Sequence, residues 1–187
     1  MLALSAWMLA ACGPKIPDTI KIGVAQPLSG SSAARGKDVL DGVKLAVTEL
    51  NAAGYKIGDK TVQLEVVAMD DKAEVNEAKK VAQALVDQKV TAVIGHLSSD
   101  VTEAVVPIYS SGNVPQLFTS SAAELTKLGG GNAFRIVAND VLQARAIASY
   151  VAETLKAKKI VILHEESAFG TPMAKDVAAA LAKLDAK

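Results

Sequence analysis

The chain has 187 residues, half of them hydrophobic and 21% charged, a balance that supports a buried core and excludes a disordered protein. Twenty lysines and arginines offset twenty aspartates and glutamates, so no overall field draws the chain to nucleic acid or to an anionic membrane. Its single cysteine excludes intramolecular disulfides and leaves stability to the core.

In chain order, the first apolar run covers residues 2–11, too short to cross a bilayer as a helix and of a length suited to the core of a signal peptide. It ends in Leu9-Ala10-Ala11-Cys12-Gly13, which resembles the lipobox of bacterial lipoproteins. In that motif small side chains let a signal peptidase reach the backbone, and the cysteine thiol takes a diacylglyceryl group before cleavage. The resemblance implies a signal peptide over residues 1–11 and a lipidated mature N-terminus at Cys12, although no Lys or Arg precedes it. Residues 12–19, with Pro14 and Pro17, read as a tether.

From Ile20 the pattern becomes periodic. Residues 20–24 read as a strand, and Val39, Leu40, Val43, Ala46, Val47 and Leu50 recur at helical spacing after it. The unit repeats: Val62, Leu64 and Val66 alternate over residues 61–68, then Ala78, Val81, Ala82 and Leu85 share a helix face. A third copy pairs the apolar residues 92–94 with a helix carrying Val101, Ala104, Val105 and Ile108, and a fourth strand falls at residues 115–118. Strands alternating with helices predict an α/β fold, a parallel sheet covered on both faces. Residues 119–139 loosen into a hinge region with Gly129-Gly130-Gly131 and a short Phe134-Arg135-Ile136 stretch suited to crossing into a second domain. Beyond it, Asn139 or Asp140 caps a helix running to about Ala157, residues 160–163 read as a buried strand, and Pro172 starts another helix. The domains expected are a first lobe over 20–138 and the start of a second over 139–187. One strand and two helices do not enclose a core, so the second lobe reads as incomplete.

Several chemistries are disfavoured. Residues Gly30-Ser31-Ser32-Ala33-Ala34-Arg35-Gly36-Lys37-Asp38 sit between a strand and a helix like a phosphate-binding loop. Five residues rather than four separate the glycines, though, and Asp38 stands where a hydroxyl should meet magnesium. His96 and His164 lack ligand-spaced partners, and the adjacent pairs Asp70-Asp71 and Glu165-Glu166 point to opposite sides of an extended strand, so no metal site, cofactor or catalytic set is read here. Hydroxyls gather instead where open α/β sheets bind ligands. Gly95-His96-Leu97-Ser98-Ser99-Asp100 follows the third strand and Thr119-Ser120-Ser121 the fourth. Free N–H groups at a helix start, joined by Ser and Thr hydroxyls, hold a carboxylate without a counter-charge. Singly, Ser99 or Asp100 serves equally well as a helix cap; together, at neighbouring strand ends, they favour a pocket.

Ile22-Gly23-Val24, Pro27-Leu28-Ser29-Gly30, Asp41-Gly42-Val43-Lys44-Leu45-Ala46 and Glu49-Leu50-Asn51, then Asp70-Asp71, Ile94-Gly95-His96-Leu97-Ser98-Ser99, Val114-Pro115, Glu124-Leu125 and Phe169-Gly170, resemble in order the branched-chain amino acid-binding proteins of ABC transporters. The resemblance implies the type I periplasmic-binding-protein fold, two α/β lobes joined by a three-stranded hinge that close over a ligand, outside the cytoplasm, without cofactor or catalysis. It makes Ser99, with its neighbour Ser98, the head-group serine, and Thr119, Ser120 and Ser121 the turn that grips ammonium and carboxylate. Arg35 replaces an aromatic residue over the ligand, and Phe169 is the stacking residue of the second lobe. The implied ligand is a branched-chain or related small amino acid or amide, and the implied partner is a transporter permease, with the membrane touched only through Cys12. A same-fold lipoprotein that activates cell-wall synthases is the rival; it needs no polar pocket, and the hydroxyl cluster speaks against it. With half of the clamp expected to be missing, titration calorimetry of residues 13–187 with leucine, isoleucine or valine is expected to show weak binding or none. Micromolar affinity would contradict that expectation.

Overall fold

The computed structural model describes residues 15–184; the expected signal peptide and Cys12 lipidation site lie outside the described residues. Strand β1 (Thr19–Gln26) is followed by α1 (Ala33–Ala52), a small antiparallel hairpin of β2 (Lys56–Ile57) and β3 (Lys60–Thr61), β4 (Gln63–Asp70), α2 (Val75–Asp87), β5 (Ala92–Gly95), α3 (Ser99–Ser111) and β6 (Gln116–Phe118). The short helix α4 (Leu125–Leu128) and β7 (Ala133–Arg135) complete this half. Five strands form one parallel sheet in the order β4-β1-β5-β6-β7. From β1 the chain steps to one side to reach β4, then returns past β1 to β5. Right-handed crossovers therefore place α1 on one face and α2 with α3 on the other, so helices cover both faces as predicted.

Composition explains the elements. β1 is rich in β-branched residues and lies between two neighbours, and its Val24, Ala25 and Gln26 are fully buried. The predicted face of α2 is the observed one: Ala78, Val81, Ala82 and Leu85 are buried and pack with Val93 of β5 and Val101, Val105 and Tyr109 of α3. On the opposite face α1 lies without a second helix beside it among the described residues. Leu40 is buried there, but Ala46 and Leu50, expected to face the core, are exposed.

The segment after residue 132 departs further from expectation. Phe134-Arg135-Ile136 is not the crossing expected of it: Ala133–Arg135 pairs in register with β6 as the fifth strand of the sheet. Helix α5 (Asp140–Ser149) is capped by Asn139, whose side chain accepts from the Leu142 N–H at 2.9 Å, as the sequence predicts. It loosens into a π turn at Tyr150–Thr154, then packs on α6 (Gly170–Lys183) through Ala144, Ala148, Val177 and Leu181. Residues 160–163 form no strand and are not buried as a unit. Val161 and Leu163 are 83% and 89% exposed, because no neighbouring strand among the described residues meets their backbone, and a strand without a ladder has nothing to hold it.

Gly36 fixes where α1 begins. A Cβ there would lie 2.1 Å from the Pro27 carbonyl oxygen, so only glycine lets the helix start approach the loop after β1. Gly42, in the same helix, is open: a Cβ there would meet nothing within 4 Å. In urea unfolding, Gly36→Ala is expected to destabilise by about 1–3 kcal/mol through overpacking. Gly42→Ala is expected to stabilise by about 0.4–1 kcal/mol through helix propensity and a less free unfolded chain. Equal effects at the two positions would remove the close-approach argument.

Candidate ligand-binding site at the strand ends

Strand order reverses at β1, so the loops leaving β1 and β5 run to opposite faces and part to open a crevice at the carboxyl ends of the strands. A cavity of about 530 Å³ lies there. Ser32 and Arg35 wall it after β1, Leu97 to Ser99 after β5, Thr119 to Ser121 after β6, and Glu165, Ser167 and Phe169 close it from the segment before α6. All seven residues singled out in the described chain, Arg35, Ser98, Ser99, Thr119, Ser120, Ser121 and Phe169, meet at this one cavity.

Their chemistry differs. Ser98 is the N-cap of α3 by position, yet its side chain makes no cap bond. Ser99 opens the helix, and its Oγ accepts from the Ala122 N–H at a long 3.4 Å. The Thr119 Oγ1 is buried and has no partner among the described residues. Ser120 turns its hydroxyl away from the space, within 3.3 Å of the carbonyl oxygens of His96, Leu97 and Ser98 and 2.5 Å from the Thr102 hydroxyl. One hydroxyl proton satisfies one carbonyl at a time, so Ser120 stitches the loop together from behind. Arg135 donates from Nη1 to the carbonyls of Ser121 and Ala122 at 3.4 and 2.6 Å, and the Asp140 N–H donates to the same Ser121 carbonyl at 2.9 Å. The third loop is thereby tied to the crossing segment.

Behind the wall lies a network that the sequence does not announce. His96 Nδ1 is 2.5 Å from Asp71 Oδ2, and its Nε2 is 3.1 Å from the Tyr109 hydroxyl, all three residues buried to within about 1%. Burial, with the charge of Asp71 second, pushes the Tyr109 phenol above its ordinary range, and the Asp71 carboxyl, the His96 ring and the phenol form one buried hydrogen-bonded chain. Asp71 Oδ1 accepts from the Ala73 N–H at 2.9 Å, and the His96 carbonyl accepts from Ser120. The network thus joins the ends of β4, β5 and β6. Asp70, its neighbour, points elsewhere and accepts from the N–H groups of Leu28 and Lys72 at 2.8 and 2.9 Å. Burial raises the Asp70 carboxyl, but the hydrogen bonds from Ser29, Lys72 and Leu28 outweigh it and hold the group below its usual range. Among the described residues no three His, Cys, Asp or Glu side chains converge as a metal site.

Known proteins share this fold. The family described as periplasmic binding protein matches residues 19–187. An amino acid binding protein of Pseudomonas aeruginosa is 33% identical over 170 residues, covering 90% of this chain and 45% of that protein. A leucine-, isoleucine-, valine-, threonine- and alanine-binding protein of the same organism is 34% identical over 161 residues, covering 86% of this chain and 42% of its own length. The branched-chain amino acid transporter substrate binding protein of Streptococcus pneumoniae, solved in complex with isoleucine, superposes with a TM-score of 0.80 at 38% identity, covering 87% of this chain and 46% of that one. A substrate-binding protein of Desulfitobacterium hafniense in complex with leucine gives 0.74 at 30% identity, with 88% and 48% covered. The chain spans about half the length of the curated relatives it matches.

The buried network yields a test of its own. His96→Ala leaves Asp71 Oδ2 and the Tyr109 hydroxyl buried without their partner and is expected to cost at least about 1–3 kcal/mol in urea unfolding. Tyr109→Phe removes one hydrogen bond and keeps the ring, and about 1–3 kcal/mol is expected. Near-neutral results for both would mean that the network does not hold the strand ends.

Proposed function

We propose, from the premise that the chain belongs to the periplasmic binding protein family, that it is part of an extracytoplasmic solute-binding component of an ABC transporter that takes a branched-chain or related small amino acid. The observation that carries this reading is the cavity at the strand-order reversal, walled by Ser99, Thr119 and Ser121. Such a wall binds the carboxylate of an amino acid without a full counter-charge, and backbone carbonyls of the same loops accept from its ammonium group. Ser120 shapes the wall rather than lining it with a free hydroxyl, whereas Ser98, whose side chain makes no cap bond, lines it. Phe169 supplies an apolar lid from the second lobe, with its ring 39% exposed and free to stack on a ligand.

In this reading, residues 20–138 form the first lobe and 139–187 the start of the second, and binding works by closure of one on the other. A permease recognises the closed form. Cys12 carries the lipid that keeps the protein at the membrane, and no reaction is catalysed. When the isotopically labelled chain is titrated with an α-amino acid at millimolar concentration, the amide signals of Ser99 and of Thr119 to Ser121 are expected to shift together. Ser99→Ala is expected to weaken the response about tenfold, the worth of one charge-assisted hydrogen bond. Shifts confined to other surfaces, or insensitive to Ser99→Ala, would refute this placement of the site.

A further inference from the structure

We propose that the amino acid selected by this cavity carries a second carboxylate at the end of its side chain, and that Arg35 reads it. The inference rests on the solute-binding reading above and moves its ligand from the branched-chain to the acidic amino acids. Arg35 lines the cavity together with Ser99, Thr119 and Ser121. The side chain is exposed, and among the described residues its five-donor guanidinium makes one hydrogen bond, Nη2 to the Ser32 Oγ at 3.4 Å, with its acceptor also in the cavity wall. No ion pair engages Arg35 among the described residues, although Asp100 and Glu165 share the same cavity.

The position of Arg35 on its helix is the second observation. It lies in the first turn of α1, where the macrodipole opposes a cation, and no acidic residue of that turn offsets it. Ser32, at the N-cap, makes no side-chain cap bond to the helix and is the residue that receives Arg35. Local helix rules are thus broken twice within four residues. An anion in the cavity reverses the sign of both effects, because free N–H groups, the dipole and the guanidinium then attract the same group. The close contact of Gly36 with the Pro27 carbonyl fixes the helix start, so the cation is presented from a set place.

The cavity then divides its labour by charge. The wall at Ser99, Thr119 and Ser121 takes the α-carboxylate, and the carboxylates of Asp100 and Glu165 join the backbone carbonyls in suiting the ammonium group. Arg35 is left for a third charged group. A leucine side chain would leave the guanidinium facing hydrocarbon as the site dries, which costs affinity, whereas a glutamate side chain pairs with it. A carboxamide offers the oxygen acceptor without the charge and should fall between the two.

The test titrates the labelled 187-residue chain with glutamate, glutamine and leucine, at low and high salt, in the native sequence and in Arg35→Gln and Arg35→Lys. Glutamate is expected to bind about tenfold more tightly than leucine, with the preference falling at high salt. Arg35→Gln is expected to reduce the glutamate-to-leucine ratio about tenfold, and Arg35→Lys to restore part of it. Leucine binding as tightly as glutamate, or a ratio unmoved by Arg35→Gln, overturns the proposal and leaves the solute-binding reading standing. If millimolar amino acid, which registers binding too weak for calorimetry, shifts none of Ser99 and Thr119 to Ser121, both fall together.

Discussion

The site exists because the chain reverses direction across the sheet at β1. Two adjacent strands whose following segments must leave for opposite faces cannot have their loops packed against each other, so the sheet opens a crevice at that point whatever the loop sequences are. The sequence then decides only what lines it. Here it places a glycine where α1 must pass close to Pro27, a cation at the helix start, and hydroxyls on the loops after β5 and β6. Scaffold and chemistry are separable, which is how one architecture serves many ligands.

Loops of that kind are mobile unless something holds them, and three of them are held from behind. The Asp71–His96–Tyr109 chain is a demanding device, since two ionisable groups and a phenol leave water for the protein interior. Hydrophobic residues of similar volume would fill the space with a smaller desolvation penalty. What they would not supply is direction: each hydrogen bond fixes an angle, and the His96 carbonyl in turn accepts from Ser120. The polar core therefore contributes geometry at the wall of the cavity more than stability to the fold.

How much of this was legible from the residues follows the range of the interactions. Helix α2 was readable because its buried face recurs every three to four positions, and β1, β4 and β5 because their apolar runs are local. The hydroxyl cluster was found through its place after two predicted strands. The partner of His96 was not, for Asp71 lies 25 residues away and Tyr109 lies 13 away, and no periodicity links them. Residues 133–135 are illegible for the opposite reason: three residues carry too little pattern to show whether they end a lobe or cross from it. The inward turn of Ser120 and the exposure of Leu50 depend on what packs beside them, which a one-dimensional pattern does not contain.

The Ile160-Val161-Ile162-Leu163 segment carries one more consequence. Four consecutive apolar residues, three of them β-branched, stand with their backbone groups unpaired and two side chains almost wholly in solvent. That is the composition and the edge on which copies of a chain stack into cross-β assemblies. The sequence brackets it with Lys158-Lys159 on one side and Glu165-Glu166 on the other, charges that repel their own copies when chains align in register. Salt that screens those borders weakens the repulsion between aligned copies of the segment.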